Sequence, residues 1–378
     1  MIELIVISLI LILLLHYIFF LLKIFFGLNK LDSNPAVVKL NEFVSIIVPF
    51  RNEEKNIVQT YNNLINQNYP SDKYEILFIN DLSEDDSLKK LESLSLKENV
   101  KVFTVPNDYS VSAHKKRAIR FGIEQSKGEI IITTDADCIH KENWLENLLK
   151  YFDEGTAFVS GPVEFLSNGT LFSNMQRLEF AGLVIAGAGL IGSGSPTICN
   201  AANIAYRRKV FTEVGGFIYQ MSLSSGDDEL LMQKIHQDTK YKIKFAYDKK
   251  TLVSTDTNPT ISDFYTQRKR WASKGLFYNN KALIVKLILI FLFYFSLIIQ
   301  PVLGIIFSKV FFISFGISFL LKIFIEYLII SRGSKKLFDS DILNPFLITE
   351  ILQVPYIIIA GFMGMFGNFQ WKNRNIRR

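Results

Sequence analysis

The sequence predicts an α/β domain with a mostly parallel sheet, flanked by transmembrane helices, one N-terminal and two or three C-terminal. Three observations predict it. Leu4 to Leu22 contains no charged residue, which is close to the ~20 apolar residues that a helix needs to cross a bilayer. A second apolar block begins near Leu283 and fills most of the C-terminal region. Between about Glu42 and Gly275, short apolar runs alternate with amphipathic stretches, the pattern of a sheet covered by helices. The expected divisions are an anchor over residues 1–30, an α/β domain over 42–275, a transmembrane or re-entrant region over 280–370 and a basic tail over 371–378.

The anchor reads as retained. Met1-Ile2-Glu3 provides no basic leader, and no small-x-small cleavage site follows the apolar run. Lys23 and Lys30 lie beyond it and Glu3 before it, so the positive-inside rule places the domain that follows in the cytosol.

Within the domain, strands are expected at Val44–Val48, Glu75–Ile79, Val100–Val105 and Glu129–Thr134. Helices are expected between them at Glu53–Ile65, Asp85–Leu94 and Ala113–Gln125. Ligands of such sheets bind beyond the carboxyl ends of the strands. Polar residues collect there: Arg51-Asn52-Glu53-Glu54 after the first strand, Asn80-Asp81-Leu82-Ser83 after the second, and Asp135-Ala136-Asp137 after the fourth. Residues i and i+2 at a strand end point the same way, so Asp135 and Asp137 can face one cleft and hold a hard cation, Mg2+ or Mn2+, completed by phosphate oxygens. No Gly-x-Gly-x-x-Gly follows the first strand and no Gly-x-x-x-x-Gly-Lys occurs, which counts against dinucleotide and P-loop enzymes. The glycine-rich run Gly182–Gly194 is expected at the membrane surface.

Toward the C-terminus, Leu287–Ser308 is uncharged and long enough to span. Val310–Ile330 carries Lys322 and Glu326, four apart on one helical face and able to neutralise each other inside a bundle. Ile351–Phe369 contains Pro355, Gly361, Gly364 and Gly367, the composition of a kinked or closely packed helix. Lys281 and Lys286 before the first of these segments, and Arg332, Lys335 and Lys336 after the second, fit a hairpin returning to the cytosol. A third full span would put the basic tail outside. Either the last segment is re-entrant or the tail breaks the rule, and the expectation here is a cytosolic tail.

The net charge of +6 is modest, and much of the basic excess flanks apolar segments. Membrane lipid headgroups account for it better than nucleic acid, which is not an expected partner. The two cysteines, Cys138 and Cys199, lack zinc-type spacing.

From about Phe43 through Trp271 the chain resembles the family 2 glycosyltransferases with a GT-A fold, in particular the membrane-embedded branch that includes ceramide glucosyltransferases and processive polysaccharide synthases. The resemblance rests on ordered motifs: Val-Pro-Phe-Arg-Asn-Glu-Glu from Val48, Asn-Asp-Leu-Ser-Glu-Asp-Asp from Asn80, His-Lys-Lys-Arg-Ala from His114, Asp-Ala-Asp at Asp135, Gly-Asp-Asp-Glu from Gly226 and Gln-Arg-Lys-Arg-Trp at Gln267. It implies that Asp81 recognises the nucleotide and that Lys115 lies near it. A Ser turn at Ser83 and a solvated basic helix start at Lys115–Arg117 are the plainer readings. It also implies that Asp137 ligates the metal, that Asp135 sits between the donor ribose and the metal, and that Asp228 is the general base of an inverting transfer. Gln267, Arg270 and Trp271, which share a helix face started by a Thr260/Asp263 capping box, would bind the diphosphate and the acceptor end. Asn203–Arg208 and Gly215–Phe217 would shape the acceptor side. The implied partners are a nucleotide-sugar donor, a UDP-sugar in first place, and a lipid or glycan acceptor. A processive polysaccharide synthase and an inactive membrane scaffold of the same fold are the competing readings.

Overall fold

The computed structural model describes residues 1–31, 42–109, 114–217, 226, 228–273, 278, 280–365, 369–371 and 374–376. Ala113, Asp227, Gly275, Gly367 and half of the basic tail (Lys372, Asn373, Arg377 and Arg378) lie outside the described residues. In chain order the elements are α1 (Ile2–Leu28), β1 (Val44–Phe50), α2 (Ile57–Ile65), β2 (Tyr74–Asn80), α3 (Ser87–Glu92), β3 (Val100–Thr104), α4 (His114–Gln125), β4 (Ile130–Thr133), β5 (Ile139–His140), α5 (Trp144–Leu149), β6 (Thr156–Ser160), β7 (Val163–Leu166) and α6 (Leu171–Gly192). They continue with β8 (Ile204–Arg207), α7 (Arg208–Glu213), α8 (Glu229–Asp238), β9 (Lys242–Phe245), β10 (Val253–Asp256), α9 (Ile261–Ser273), α10 (Lys281–Ile306), α11 (Val310–Leu337), α12 (Phe346–Met365), β11 (Phe369–Trp371) and β12 (Arg374–Ile376).

The β-branched runs form strands where expected. β1, β2 and β4 are buried along their whole length, because the sheet is covered on both faces. The seven-stranded sheet runs β3-β2-β1-β4-β8-β6-β9. It is parallel through β3-β2-β1-β4 and between β6 and β9, while β8 is antiparallel to both its neighbours, so the expected mostly parallel sheet is a mixed one. Between β6 and β8 the chain passes through β7 and the long α6, and it re-enters the sheet in the reverse direction. In-register pairing of Phe50 with Asn80, and of Ile47 with Thr133, brings the ends of β1, β2 and β4 to one edge.

Two helices begin later than their sequence pattern suggests, for one reason. Asn52 and Leu82 both adopt left-handed backbone, with φ of 54° and 58°, and end their strands in tight turns that a non-glycine residue rarely takes. The loops then cross-tie: Asn52 N donates to Ser83 Oγ at 3.2 Å, Glu53 N to Ser87 Oγ at 2.7 Å and Glu54 N to Asp85 Oδ2 at 3.1 Å. Those amides are satisfied by side chains of the neighbouring loop, so helix α2 waits until Ile57 and α3 until Ser87.

Among the described residues five helices, α1, α6, α10, α11 and α12, are long and apolar enough to cross a membrane by length and composition. α6, which carries the glycine-rich run, differs from the others in being largely enclosed, with 67% of its apolar window buried. A Cβ at Gly189 would strike the Ile24 carbonyl and one at Gly27 the Gly189 carbonyl, so glycine here lets the α1 and α6 backbones touch. The run therefore seats a junction between the α/β domain and the anchor.

α10 and α11 form the expected hairpin. Lys322 and Glu326 pair at 3.0 Å, and Lys322 also meets Glu350 of α12 and donates to Gln353 Oε1 at 2.9 Å. Tyr17 of α1 donates to Glu326 at 2.5 Å, and Tyr294 of α10 lies 3.0 Å from the Tyr17 hydroxyl. Every α-helix of the bundle except α6 thus contributes to one buried polar network. α12 crosses that bundle obliquely. Gln353 meets Tyr294 while Gly361 lies against Phe291, nearer the start of α10, and strand β11 rests against α9. The C-terminal half of α12 thus runs back toward the start of α10.

Candidate functional site

A cavity of about 360 Å³ opens at the carboxyl edge of the parallel strands. Asp81, Lys115, Asp135 and Asp137 line it from the strand ends and α4, and Asp228, Gln267, Arg270 and Trp271 close it from α8 and α9. The eight side chains picked out from sequence therefore share one space, although α9 and β2 lie far apart in the chain.

Asp81 is buried and accepts from Arg117 Nε at 3.0 Å, with a second guanidinium nitrogen on the same oxygen. Arg51 donates to the Asp81 carbonyl at 2.9 Å and pairs with Glu84 at 2.6 Å, bracing the left-handed turn at Leu82. Asn80 is the cap of that turn: its Oδ1 accepts from Ser83 N at 2.9 Å and its Nδ2 donates to Thr104 at 3.2 Å. The start of α4 is not a solvated basic run. Lys115 pairs with Asp135, Lys116 is fully buried and Arg117 holds Asp81.

Asp135 and Asp137 flank the buried Ala136 and both face the cavity. Burial, reinforced by Asp137 and Asp135, pushes the Cys138 thiol well above its ordinary range, so it adjoins the carboxylates as a neutral group and not as a soft thiolate ligand. Among the described residues no three acidic, histidine or cysteine side chains converge to enclose an ion. Two carboxylates facing a polar cavity fit Mg2+ or Mn2+, which usually take one or two protein oxygens and complete their shell from phosphates and water.

Asp228 caps α8. Its Oδ1 accepts from Glu229 N at 2.7 Å and its Oδ2 from Ala201 N at 3.0 Å, which fixes the carboxylate at the cavity wall. Asp228 therefore both caps a helix and presents a carboxylate to the cavity. Glu229 lines the cavity beside it and accepts from the Tyr278 hydroxyl at 2.7 Å. Burial and the Glu229 carboxylate push Tyr278 well above its usual range, so it stays a donor.

The capping box holds α9 as expected, Asp263 N donating to Thr260 Oγ1 at 3.1 Å. Gln267 accepts from Asn258 Nδ2 at 3.0 Å, and Asn258 is itself bound by the buried Gln176 of α6. Between Gln267 and Trp271, Arg268 points the other way, into the protein. It donates to Glu179 at 3.2 Å, reaches Gln267 Oε1, and lies 4.3 Å over the Trp271 ring and 4.5 Å over Phe264. Tyr356 of α12 donates to Glu179 at 3.0 Å, so the helix carrying the Gln-x-x-Arg-Trp face is bolted to α6 and α12.

Beyond the polar residues the cavity becomes apolar, with Phe165, Phe180, Leu183, Val184, Ile198 and Leu287 on its wall. Neither Asn203–Arg208 nor Gly215–Phe217 lines it. Asn203 instead receives Trp144 Nε1 at 3.1 Å and donates to the Pro162 and Thr251 carbonyls at 2.8 Å, a hub joining β6, β8 and the neighbouring turn. The cavity wall is formed instead by the segment just before it, Thr197–Ala202. Sequence reasoning missed Arg51, Arg117, Glu229, Arg268 and Tyr278 as site residues. Arg51, Arg117, Glu229 and Arg268 each lie inside one of the quoted motifs, whereas Tyr278 lies in none of them.

Residues 45–215 match the model of Glycosyl transferase family 2. The chain is 29% identical over 216 residues to Glycosyltransferase AglE of Haloferax volcanii, covering 54% of this chain and 65% of that one. It is 33% identical over 113 residues to a dolichyl N-acetyl-alpha-D-glucosaminyl phosphate 3-beta-D-2,3-diacetamido-2,3-dideoxy-beta-D-glucuronosyltransferase of Methanococcus voltae, covering 29% of this chain and 34% of that one. The chain thus spans less than two thirds of the length of these curated relatives. In fold it resembles the mannosyltransferase PcManGT of Pyrobaculum calidifontis, solved with GDP-Man and Mn2+, with a TM-score of 0.58 at 16% identity over 95% of this chain and 99% of that one. The mixed sheet, the edge cavity and these likenesses agree: residues 45–215 of this chain form a glycosyl transferase family 2 domain in a GT-A-like fold.

Proposed function

We propose that the protein is a membrane-bound inverting glycosyltransferase that moves a sugar from a nucleotide-diphosphate sugar to a lipid or other membrane-associated acceptor. One observation carries this reading. A single cavity is polar and acidic at the strand ends and apolar where α6 and α10, two helices of membrane-spanning composition, contribute its wall. Donor and lipid would meet between them. The name of the Methanococcus voltae relative, which includes a dolichyl phosphate, supports a lipid-linked acceptor.

In this reading Asp81, held by Arg117, and Lys115, held by Asp135, form the nucleotide end of the cavity. Asp135 and Asp137 would hold a divalent cation, which when bound offsets charge on the diphosphate leaving group. Asp228 takes the proton from the acceptor hydroxyl as its oxygen attacks the anomeric carbon from the face opposite the departing nucleotide. Gln267, Arg270 and Trp271 close over the diphosphate, and the positive charge of Arg270 complements the negative charge that builds there. In this reading the domain lies on the cytosolic face of a plasma membrane, which the flanking cations support by the positive-inside rule.

The test is release of nucleoside diphosphate from a panel of UDP- and GDP-sugars by the purified protein, with and without lipid extract, beside Asp137→Ala. Release from one donor, dependent on added Mg2+ or Mn2+, stimulated by lipid and lost in the variant, is the expected result. A folded protein that is silent across the panel and binds no nucleotide would overturn the reading in favour of a scaffold. Product length decides between a single added sugar, as proposed, and a polymer ladder.

A further inference from the structure

A second cavity, about 260 Å³, lies between the C-terminal half of α8, the Ser195–Thr197 segment and the first two turns of α10. We propose that it binds the phosphate headgroup of an anionic membrane lipid. Its wall offers Lys286, His236, Gln233, Gln237, Asn280 and Ser195 and includes no carboxylate. A second cation stands behind Ser195, where Lys23 of α1 donates to Ser195 Oγ at 2.7 Å. Lys286 lies within electrostatic reach of Lys23, a juxtaposition of like charges that an anion would relieve. Among the described residues no carboxylate pairs with either lysine.

Position selects a lipid over a soluble anion. Lys23 sits at the end of α1 and Lys286 at the start of α10, so both ammonium groups stand where membrane helices leave the bilayer on the side of the α/β domain. On α10, Val285 and Ile288 flank Lys286 and are 54% and 47% exposed, giving acyl chains an apolar surface directly beside the cations. The site also adjoins the first cavity: Thr197 lines both, and Leu287 lines one while Lys286 lines the other. A headgroup bound here is therefore stationed next to the apolar arm of the catalytic cavity without occupying it.

Native mass spectrometry of the detergent-purified full chain, titrated with phosphatidylglycerol, phosphatidylcholine or inorganic phosphate, tests this without any donor sugar. It therefore stands or falls separately from glycosyl transfer. Expected are phosphatidylglycerol adducts well above those of phosphatidylcholine, and none with phosphate. Lys286→Gln should weaken the adducts about fivefold, the contribution of one basic side chain near an anionic membrane surface. Lys335→Gln removes the same charge from the exposed end of α11, outside the cavity, and should change nothing. Lys286 is exposed, and an unchanged melting temperature would confirm that its variant folds. Equal loss in both variants would mean diffuse surface charge, equal binding of phosphatidylcholine would mean a purely apolar contact, and equal binding of phosphate would mean a soluble-anion site. Each would overturn the proposal.

Discussion

Asp137 and Asp228 are both cavity carboxylates, but their surroundings differ. Asp228 is immobilised by two backbone amides, whereas Asp137 is exposed in the loop that follows β4. Asp228→Asn should therefore lower transfer by about 10²–10⁴-fold, the usual worth of a positioned base, while donor affinity holds. Asp137→Ala should weaken metal-dependent donor binding itself. Calorimetric titration of nucleotide with and without Mn2+ separates the two, and unchanged transfer in Asp228→Asn would move the base to Glu229. These carboxylates were legible because their signals are local, an i, i+2 pair at a strand end and an acid opening a helix. Arg117 and Tyr278 were not, since each finds its carboxylate partner 36 or 49 residues away in the chain. His140 was equally silent in the sequence. It is buried against Trp144 with Nε2 on Thr134 at 2.8 Å, and burial alone lowers its pKa to about 3. An unfolded histidine titrates near 6.5, so between about 6.5 and 3 the unfolded chain binds a proton that the native one refuses. Stability should be complete above pH 6.5 and fall by up to about 1.4 kcal/mol per pH unit below it through this group. Thermal melts of the wild type and of His140→Gln across pH 4–8 check this: the variant should show a flatter acid limb, and an unchanged slope would assign acid loss to other groups.

Among the elements, the strands declared themselves through β-branched runs, whereas α6 and α12 did not disclose their roles. Hydropathy reports how apolar a helix is but not what covers it, and for α6 the cover is the anchor and the domain. α9 depends on that arrangement. Arg268 is buried with Glu179, and its flat guanidinium lies against Trp271 while reaching Gln267, so the orientation of both motif side chains follows from an ion pair to α6. Arg268→Met would strand a buried carboxylate and should cost about 3–5 kcal/mol, whereas Arg268→Met combined with Glu179→Met should recover most of that loss. Arg268→Lys keeps the charge but loses the planar fork. It should melt near the wild type yet turn over up to about 100-fold more slowly, with little change in donor KM, as misplacement of closing groups predicts. If the double variant regained full turnover with its stability, Arg268 would be a structural residue only and not a positioning one.

The whole molecule is joined by the polar network inside its membrane helices. Lys322 and Glu326 were paired correctly from their i, i+4 spacing. Tyr17, Tyr294 and Glu350 come from other helices, and nothing in a linear pattern links them. Charges at this depth have no water to fall back on, so each must find its partner within the protein. Here one ammonium serves two carboxylates, with tyrosine hydroxyls taking up Glu326. The arrangement fixes how α1, α10, α11 and α12 meet, and α12 in turn carries Tyr356 to Glu179 and the back of the catalytic helix. Removing the cation alone is therefore the most damaging change. Lys322→Met should lower the detergent melting temperature by several degrees, because it leaves Glu326 and Glu350 facing each other across a dry interface. Replacing all three with apolar residues of similar size should restore most of it, since an intact buried pair gains little over good packing. The restored protein should still differ from the wild type. With the hydrogen bonds that orient α12 removed, Tyr356 loses its fixed approach to Glu179, and amide exchange in α9 should quicken even where the melting temperature has returned. A triple variant that stays as unstable as Lys322→Met would mean that the network holds the bundle through the specific bonds themselves and not by avoiding unpaired charge.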